Sequence, residues 1–407
     1  MPPNTPTILL LGTCDTKLSE LLYTKSQIES TNATVLLMDT GRNPTTHEEI
    51  AIPQSALLTT TASTPTPDLT TLTRAEYITT LIPYATKKVT HLHEHHQIHG
   101  ILAIGGSCGT TLAATVMRDA LPVGFPKLLV STMASGDVGP FIGETDISMM
   151  YSVVDIAGRN RIVEGVLDNA AGGIVGMAGA FLKRERGSTA EIEVSSRVRI
   201  GISMFGVTTP GVTRARERLE EALGGCEVYV FHATGSGGEG FGEAYEVVGG
   251  VLSAGPGRLT AATVRDIPRV VSVGACDMVN FGEVGTVPAT FREGKRLLHE
   301  HNATVTLMRT TKKECVEIGR FIAGNLLDSR DRGQLRRTKV ILPVGGVSML
   351  DVAGQPFHDP EADEALFSTL ERELEGSGIC VMRDPRDIND PNFAVAVADE
   401  LVKLIRQ

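Results

Sequence analysis

Apolar positions open the chain as a run: residues 8–11 (ILLL) are strand formers, and the run stops at a lone Gly12. Beyond it the spacing changes. Leu18, Leu21, Leu22 and Ile28 recur close to the helical period, and residues 34–38 form a second apolar run closed by Asp39. This pattern predicts a βαβ unit whose helix starts directly after Gly12. Asp15 or Thr16 can cap that start. N–H groups without intrahelical partners point out of it and the helix dipole adds positive potential, so the turn can hold a phosphate, with Thr13 beside it and Lys17 as its cation. Asp39 stands where Rossmann-type folds bond a ribose hydroxyl. The signal is incomplete, because GTCDTK is neither the three-glycine dinucleotide fingerprint nor GxxxxGK[ST], and any α/β protein needs such a turn merely to change direction.

A Thr- and Pro-rich segment follows, roughly residues 40–72, and reads as an exposed insertion or a lid. A polar helix is expected from Arg74 to about His96. Its end, HLHEHHQIH, spaces His91, His95 and His99 four apart, as metal ligands on a helix would be; the bland alternative is a solvated helix end whose imidazoles favour the C-terminal dipole. Residues 100–104 form the next strand and enter GGSCGTT, a second glycine-rich turn opening a helix. Gly105, Gly106 and Gly109 let a ligand touch main chain, with Ser107 and Thr110 beside them. The same letters spell a G-x-S-x-G nucleophile elbow on Ser107, for which His232 or His358 could serve as the histidine, but no His-Gly-Gly run announces an oxyanion hole upstream. After a strand at 127–132 come Gly136 and a set of acids, Asp137, Glu144, Asp146 and Asp155, of the kind that hold Mg²⁺ beside phosphates or simply face water. A helix expected over 154–183 carries Gly172, Gly176, Gly179 and Ala180 on one face, suited to a domain or dimer contact. The polar run at 183–197 reads as an interdomain linker.

The second half repeats this grammar. Strands at 199–205, 227–232 and 270–273 each end in glycine turns, the second in ATGSGG with Thr234, Gly235 and Gly237, the third in GACDM with Asp277. NATVLLMDT at Asn32 is echoed by NATVTLMRT at Asn302, which suggests two similarly built domains, 1–190 and 198–407. Length agrees, since 407 residues exceed one ordinary core. The expected class is α/β, with two Rossmann-like domains of mostly parallel sheets whose strand ends line an interdomain ligand cleft. A net charge of −10 repels nucleic-acid backbones, so an anionic ligand needs a local pocket; 4% aromatic residues and no Trp leave few stacking platforms. Six scattered cysteines without a CxxC pair argue for reduced thiols and no zinc site. No signal sequence and no run of 18 apolar residues is evident, and charges at Arg159, Arg161, Glu164 and Asp168 weigh against a membrane span, so a cytoplasmic location is expected.

Taken together, GTCDTK (12–17), MDTG (38–41), GGSCGT (105–110), ASGD (134–137), SVVDIAGRNRI (152–162), HATGSGG (232–238), GACDMVNFG (274–282), HNATVTLMRTT (301–311) and PVGGVSMLD (343–351) resemble the family of ATP-binding domains typified by the tobamovirus-resistance protein of tomato. The resemblance implies ATP, with Mg²⁺ as its companion, in or beside the cleft, a homodimer, and a protein partner such as a separate TIM-barrel chain, because plant members continue into a barrel region that these residues lack. Tyr151 departs from the proline expected before SVVD, and an extra EGFG follows HATGSGG. Two functions fit: a nucleotide-gated binding module, or an enzyme acting on a small anionic metabolite with a nucleotide co-substrate, for which Asp137, His232 and Asp277 are the catalytic candidates.

Overall fold

The computed structural model describes residues 5–58, 67–187, 197–232, 243–250, 259, 260, 262, 265, 267–328 and 334–407. The chain divides into two compact units, Met1–Ile192 and Glu193–Gln407.

In the N-terminal unit a five-stranded sheet is parallel throughout, in the order β2-β1-β3-β4-β5. Its strands are β1 (Thr7–Gly12), β2 (Thr34–Asp39), β3 (Gly100–Gly105), β4 (Lys127–Ser131) and β5 (Ser148–Tyr151). Alternation explains the layering: Ile8 and Leu10 point to one face, Leu9 and Leu11 to the other, and all four are buried. The first face is covered by α1 (Cys14–Ser30) and α4 (Arg161–Gly187), the second by α2 (Arg74–Glu94) and α3 (Ser107–Ala120). From β1 the chain turns one way across the sheet to β2, and from β3 it runs the other way to β5. The order therefore reverses between β1 and β3, a topological switch point of the 2-1-3-4-5 type.

Two expectations change here. The helix carrying the histidines stops at Glu94, because His96 takes a left-handed φ of 52°, so His99 falls outside the helix. There its Nδ1 accepts the Thr7 N–H at 3.0 Å and ties the starts of β1 and β3 together. The late helix begins at Arg161 rather than 154, after an irregular stretch. By length and composition it is apolar enough to cross a membrane, with a mean hydropathy of 1.3 over its best window, so its flanking charges do not settle the matter. Packing does account for its apolar residues: Val163, Leu167, Ala170, Ile174, Ala178 and Leu182 are buried, most of them against the sheet, while Gly172, Gly173 and Gly176 lie on its exposed side.

The C-terminal unit is less uniform. Its parallel strands are β6 (Arg199–Met204) paired with β7 (Glu227–His232), and β12 (Thr338–Pro343) flanked by β8 (Arg269–Val271) and β13 (Cys380–Asp384). A third sheet is antiparallel, β10 (Leu298–Asn302), β11 (Val305–Arg309) and β9 (Met278–Phe281), so this unit does not simply repeat the first. Helices α5 (Thr209–Leu223) and α8 (Pro391–Arg406) pack on β6, while α6 (Lys312–Leu327) and α7 (Pro360–Leu374) share a core with β9, β11 and β12.

Candidate functional site

At the switch point the ends of β1 and β3 deliver the starts of α1 and α3 to a cleft of about 760 Å³. That volume suits a cofactor-sized ligand. Neither N-cap residue caps its helix with its own side chain: Thr13 stands at the N-cap of α1, where the Cys14 N–H goes instead to Asp39 Oδ1, and Gly106 at that of α3. In α3 the N–H groups of Ser107, Cys108 and Gly109 have no intrahelical acceptor, and Thr110 N–H makes the first such bond, to the Gly106 carbonyl at 2.8 Å. A side chain added at Gly106 would meet nothing closer than Thr132 Oγ1 at 3.9 Å, so main chain is open to the cleft here.

Of the sequence-derived site residues, Thr13, Asp15, Thr16, Lys17, Gly106, Ser107 and Gly109 line this one cleft. Thr13 and Thr16 hydroxyls share a hydrogen bond of 2.8 Å. Lys17 donates its Nζ to the Ile156 carbonyl, and α1 is kinked at this residue, which has φ −135° and ψ 23°. Asp15 accepts on Oδ2 from Asn43 N–H at 3.0 Å and leaves a buried Oδ1 without a partner.

The other sequence candidates do not line the cleft. Gly12 is needed for packing, because a Cβ there would lie 2.7 Å from Leu21 Cδ2. Gly105 lets α3 sit on β3, since its Cβ would come within 2.8 Å of the Gly109 carbonyl carbon. Thr110 is buried and shares a hydrogen bond of 2.6 Å with Ser131. Asp39 is fully buried: Oδ1 accepts the Cys14 N–H at 3.0 Å and the Gly41 N–H at 2.8 Å, and burial raises its pKa. Its carboxylate serves the backbone of the two loops rather than facing the cleft. Gly136 and Asp137 are exposed, with Asp137 accepting the Gly139 N–H at 2.9 Å. Thr234, Gly235 and Gly237 lie outside the described residues.

Of the acids singled out in the sequence, Asp155 also lines the cleft; sequence reasoning missed the rest of the opposite walls, formed by Arg42, Asn43, Arg74, Tyr77, Thr132, Met133 and residues 151–154. Arg42 is held by the Leu69 and Thr70 carbonyls at 3.3 and 2.8 Å, whereas Arg74 pairs with no described residue. Both follow loop residues, where no periodicity marks them. Val153 has a φ of 65° in a three-residue turn closed by Val154 N–H and the Ser152 carbonyl at 2.7 Å, a conformation costing a β-branched residue on the order of 1–3 kcal/mol. Among the described residues no histidine lines the cleft, so none of them serves Ser107 as a base there.

In the C-terminal unit Asp277 belongs to a second cluster. The buried Arg309 guanidinium donates to Asp363 at 2.6 Å, Asp351 at 3.2 Å and the Phe357 carbonyl at 2.8 Å, and Ser348 donates to Asp277 at 2.7 Å. Burial pushes Asp277 and Asp351 up to about 6 and Asp363 to about 7. Burial also opposes the charge on Arg309, but Asp277, Asp363 and Asp351 together outweigh it. This packing closes the group to ligands. His232 is exposed at the end of β7, its ring 5.8 Å from that of Phe205.

The N-terminal domain of an uncharacterised protein family, UPF0261, matches residues 6–183, and the C-terminal domain of that family matches residues 197–244 and 241–405. A UPF0261 protein of Clostridium tetani is 39% identical over 426 residues, covering 98% of this chain and 99% of its own length. Another, from Rhizobium meliloti, is 40% identical over 409 residues, covering 96% of each. The ToMV resistance protein Tm-1(GCR237) of Solanum lycopersicum is 38% identical over 331 residues, which cover 77% of this chain but 42% of the tomato protein.

Proposed function

From the premise that this chain belongs to the uncharacterised UPF0261 family, we propose that its N-terminal unit binds a nucleoside triphosphate, ATP, in the switch-point cleft and works as a nucleotide-gated binding module. The observation that carries this reading is the convergence of two helix starts, from opposite faces of the sheet, on one cleft walled by Lys17, Arg42 and Arg74. The free N–H groups of Ser107, Cys108 and Gly109, the positive dipole ends of both helices and three cations make the walls complementary to a polyphosphate. A Mg²⁺ would be carried by the phosphates and Asp15, whose buried Oδ1 lacks a partner, because among the described residues no three His, Cys, Asp or Glu side chains form a metal group by themselves. The exposed glycines of α4 fit a contact between two copies of the chain.

Calorimetric titration with ATP is the test. A single charge-assisted contact is worth about 1.5–3 kcal/mol, so Arg74→Ala and Lys17→Ala are each expected to weaken binding roughly ten- to a hundredfold. Unchanged affinity in both folded variants would remove the phosphates from this cleft. The strained Val153 in the cleft wall favours a second reading, an enzyme acting on a small anionic metabolite with a nucleotide co-substrate. Sustained release of product over many turnovers from ATP, Mg²⁺ and any metabolite that copurifies with the protein would select it.

A further inference from the structure

The cleft has two unlike halves. One carries the helix starts at residues 13–17 and 106–109 with the cations of Lys17, Arg42 and Arg74. The other carries exposed apolar side chains: Met133, Tyr151 and Val153 line the cleft with 38%, 41% and 57% of their surfaces exposed, with Asp155 beside them. Exposed apolar side chains inside a cleft mark binding surfaces more often than idle ones. Position supports that reading. Tyr151 closes β5 in register with Ser131, and Ser152 N–H bonds the Ser131 carbonyl at 3.2 Å, so the backbone beneath the ring is fixed to the sheet. The Tyr151 hydroxyl bonds to no described residue, and the strained turn at Val153 keeps an isopropyl group in solvent beside it.

Resting on the phosphate reading above, we propose that Tyr151, Val153 and Met133 form a shelf for the planar base of the same nucleotide, with the Tyr151 ring as its stacking platform. Charge complementarity sets the orientation: the polyphosphate occupies the helix starts and their cations, leaving the uncharged aromatic end for the wall of Met133, Tyr151 and Val153. Stacking on a tyrosine is tolerant of the base, so the shelf selects a nucleotide over an inorganic polyphosphate without selecting strongly among bases.

The experiment compares ATP with inorganic tripolyphosphate by calorimetry on the wild-type full chain and on Tyr151→Leu and Tyr151→Phe, each checked for an unchanged melting temperature. Tyr151→Leu should weaken ATP roughly ten- to a hundredfold and leave tripolyphosphate unchanged, while Tyr151→Phe keeps the ring and binds both as wild type does. Equal ATP affinity in Tyr151→Leu and wild type, or an equal loss for both ligands, overturns the shelf. Wild-type protein that binds ATP no better than tripolyphosphate overturns the shelf and leaves the phosphate site standing; wild-type protein that binds neither overturns both.

Discussion

Residues 32–40, NATVLLMDT, and residues 302–310, NATVTLMRT, differ only where Leu36 faces Thr306 and Asp39 faces Arg309. The first is the edge strand of an all-parallel sheet, paired with β1. The second runs from a hairpin turn into the middle strand of an antiparallel sheet, between β10 and β9. Even the shared asparagine works differently: Asn32 takes a φ of 60° to leave α1, while Asn302 accepts the Thr304 N–H at 2.9 Å to close the hairpin. The strand letters thus specify burial and extension but not partners. What each copy does is set by its penultimate residue, since Asp39 gathers two backbone N–H groups and Arg309 gathers carboxylates and carbonyls.

That contrast can be broken most forcefully at Arg309. Arg309→Leu leaves Asp277, Asp351 and Asp363 packed together without a cation, and should cost the C-terminal unit about 3–5 kcal/mol in urea denaturation. A variant as stable as wild type would show the cluster to be dispensable. In the N-terminal unit Asp39→Ala removes the acceptor of the Cys14 and Gly41 N–H groups and should cost roughly 1–3 kcal/mol, whereas Asp39→Asn retains an acceptor oxygen and should recover most of it. Equal losses in the two variants would mean that charge, not the acceptor, matters there.

The carboxylates gathered by Arg309 also set a pH response. Asp351 and Asp363 have folded pKa values raised to about 6 and about 7, so they hold protons in the folded state that the unfolded chain releases near 4. Their contribution to stability is complete below that value and is lost as pH rises through 6 to 7. The C-terminal unit should therefore melt a few degrees lower at pH 8 than at pH 5, on the order of 2–4 °C per kcal/mol, and Asp363→Asn should flatten the dependence. A profile identical in wild type and Asp363→Asn would assign the effect to other groups. Smallest in stability is Gly176→Leu: a Cβ at Gly176 meets nothing within 4 Å, so α4 should gain up to about 1 kcal/mol of helix preference. Sedimentation of the same variant should show the proposed pair of copies dissociating, and an unchanged sedimentation coefficient would leave that helix face outside any contact.

The first half of the chain was legible because runs such as ILLL and GILAIG can only be strands buried on both faces, and lone glycines mark where each meets a helix. Of the cleft, the walls at residues 13–17 and 106–109 were legible, because turn chemistry marks them. Periodicity does not distinguish a glycine kept for a ligand from one kept for Leu21, which is the case of Gly12. Nor does it show that a strand-closing acid turns inward, as Asp39 does, or that a tyrosine ending a strand stays in solvent, as Tyr151 does. The antiparallel sheet escaped notice because its strands share the vocabulary of the parallel ones.

The inward turn of Asp39 has a mechanical consequence. One carboxylate oxygen pins both the first residue of α1 and Gly41, and from there Arg42 grips the carbonyls of Leu69 and Thr70. The start of α1 and the far end of the Thr- and Pro-rich segment are therefore tied together through Asp39, Gly41 and Arg42. Loss of the Asp39 carboxylate would therefore loosen two places at once, the start of α1 and, through Gly41 and Arg42, the backbone at Leu69, a buried residue of the N-terminal core.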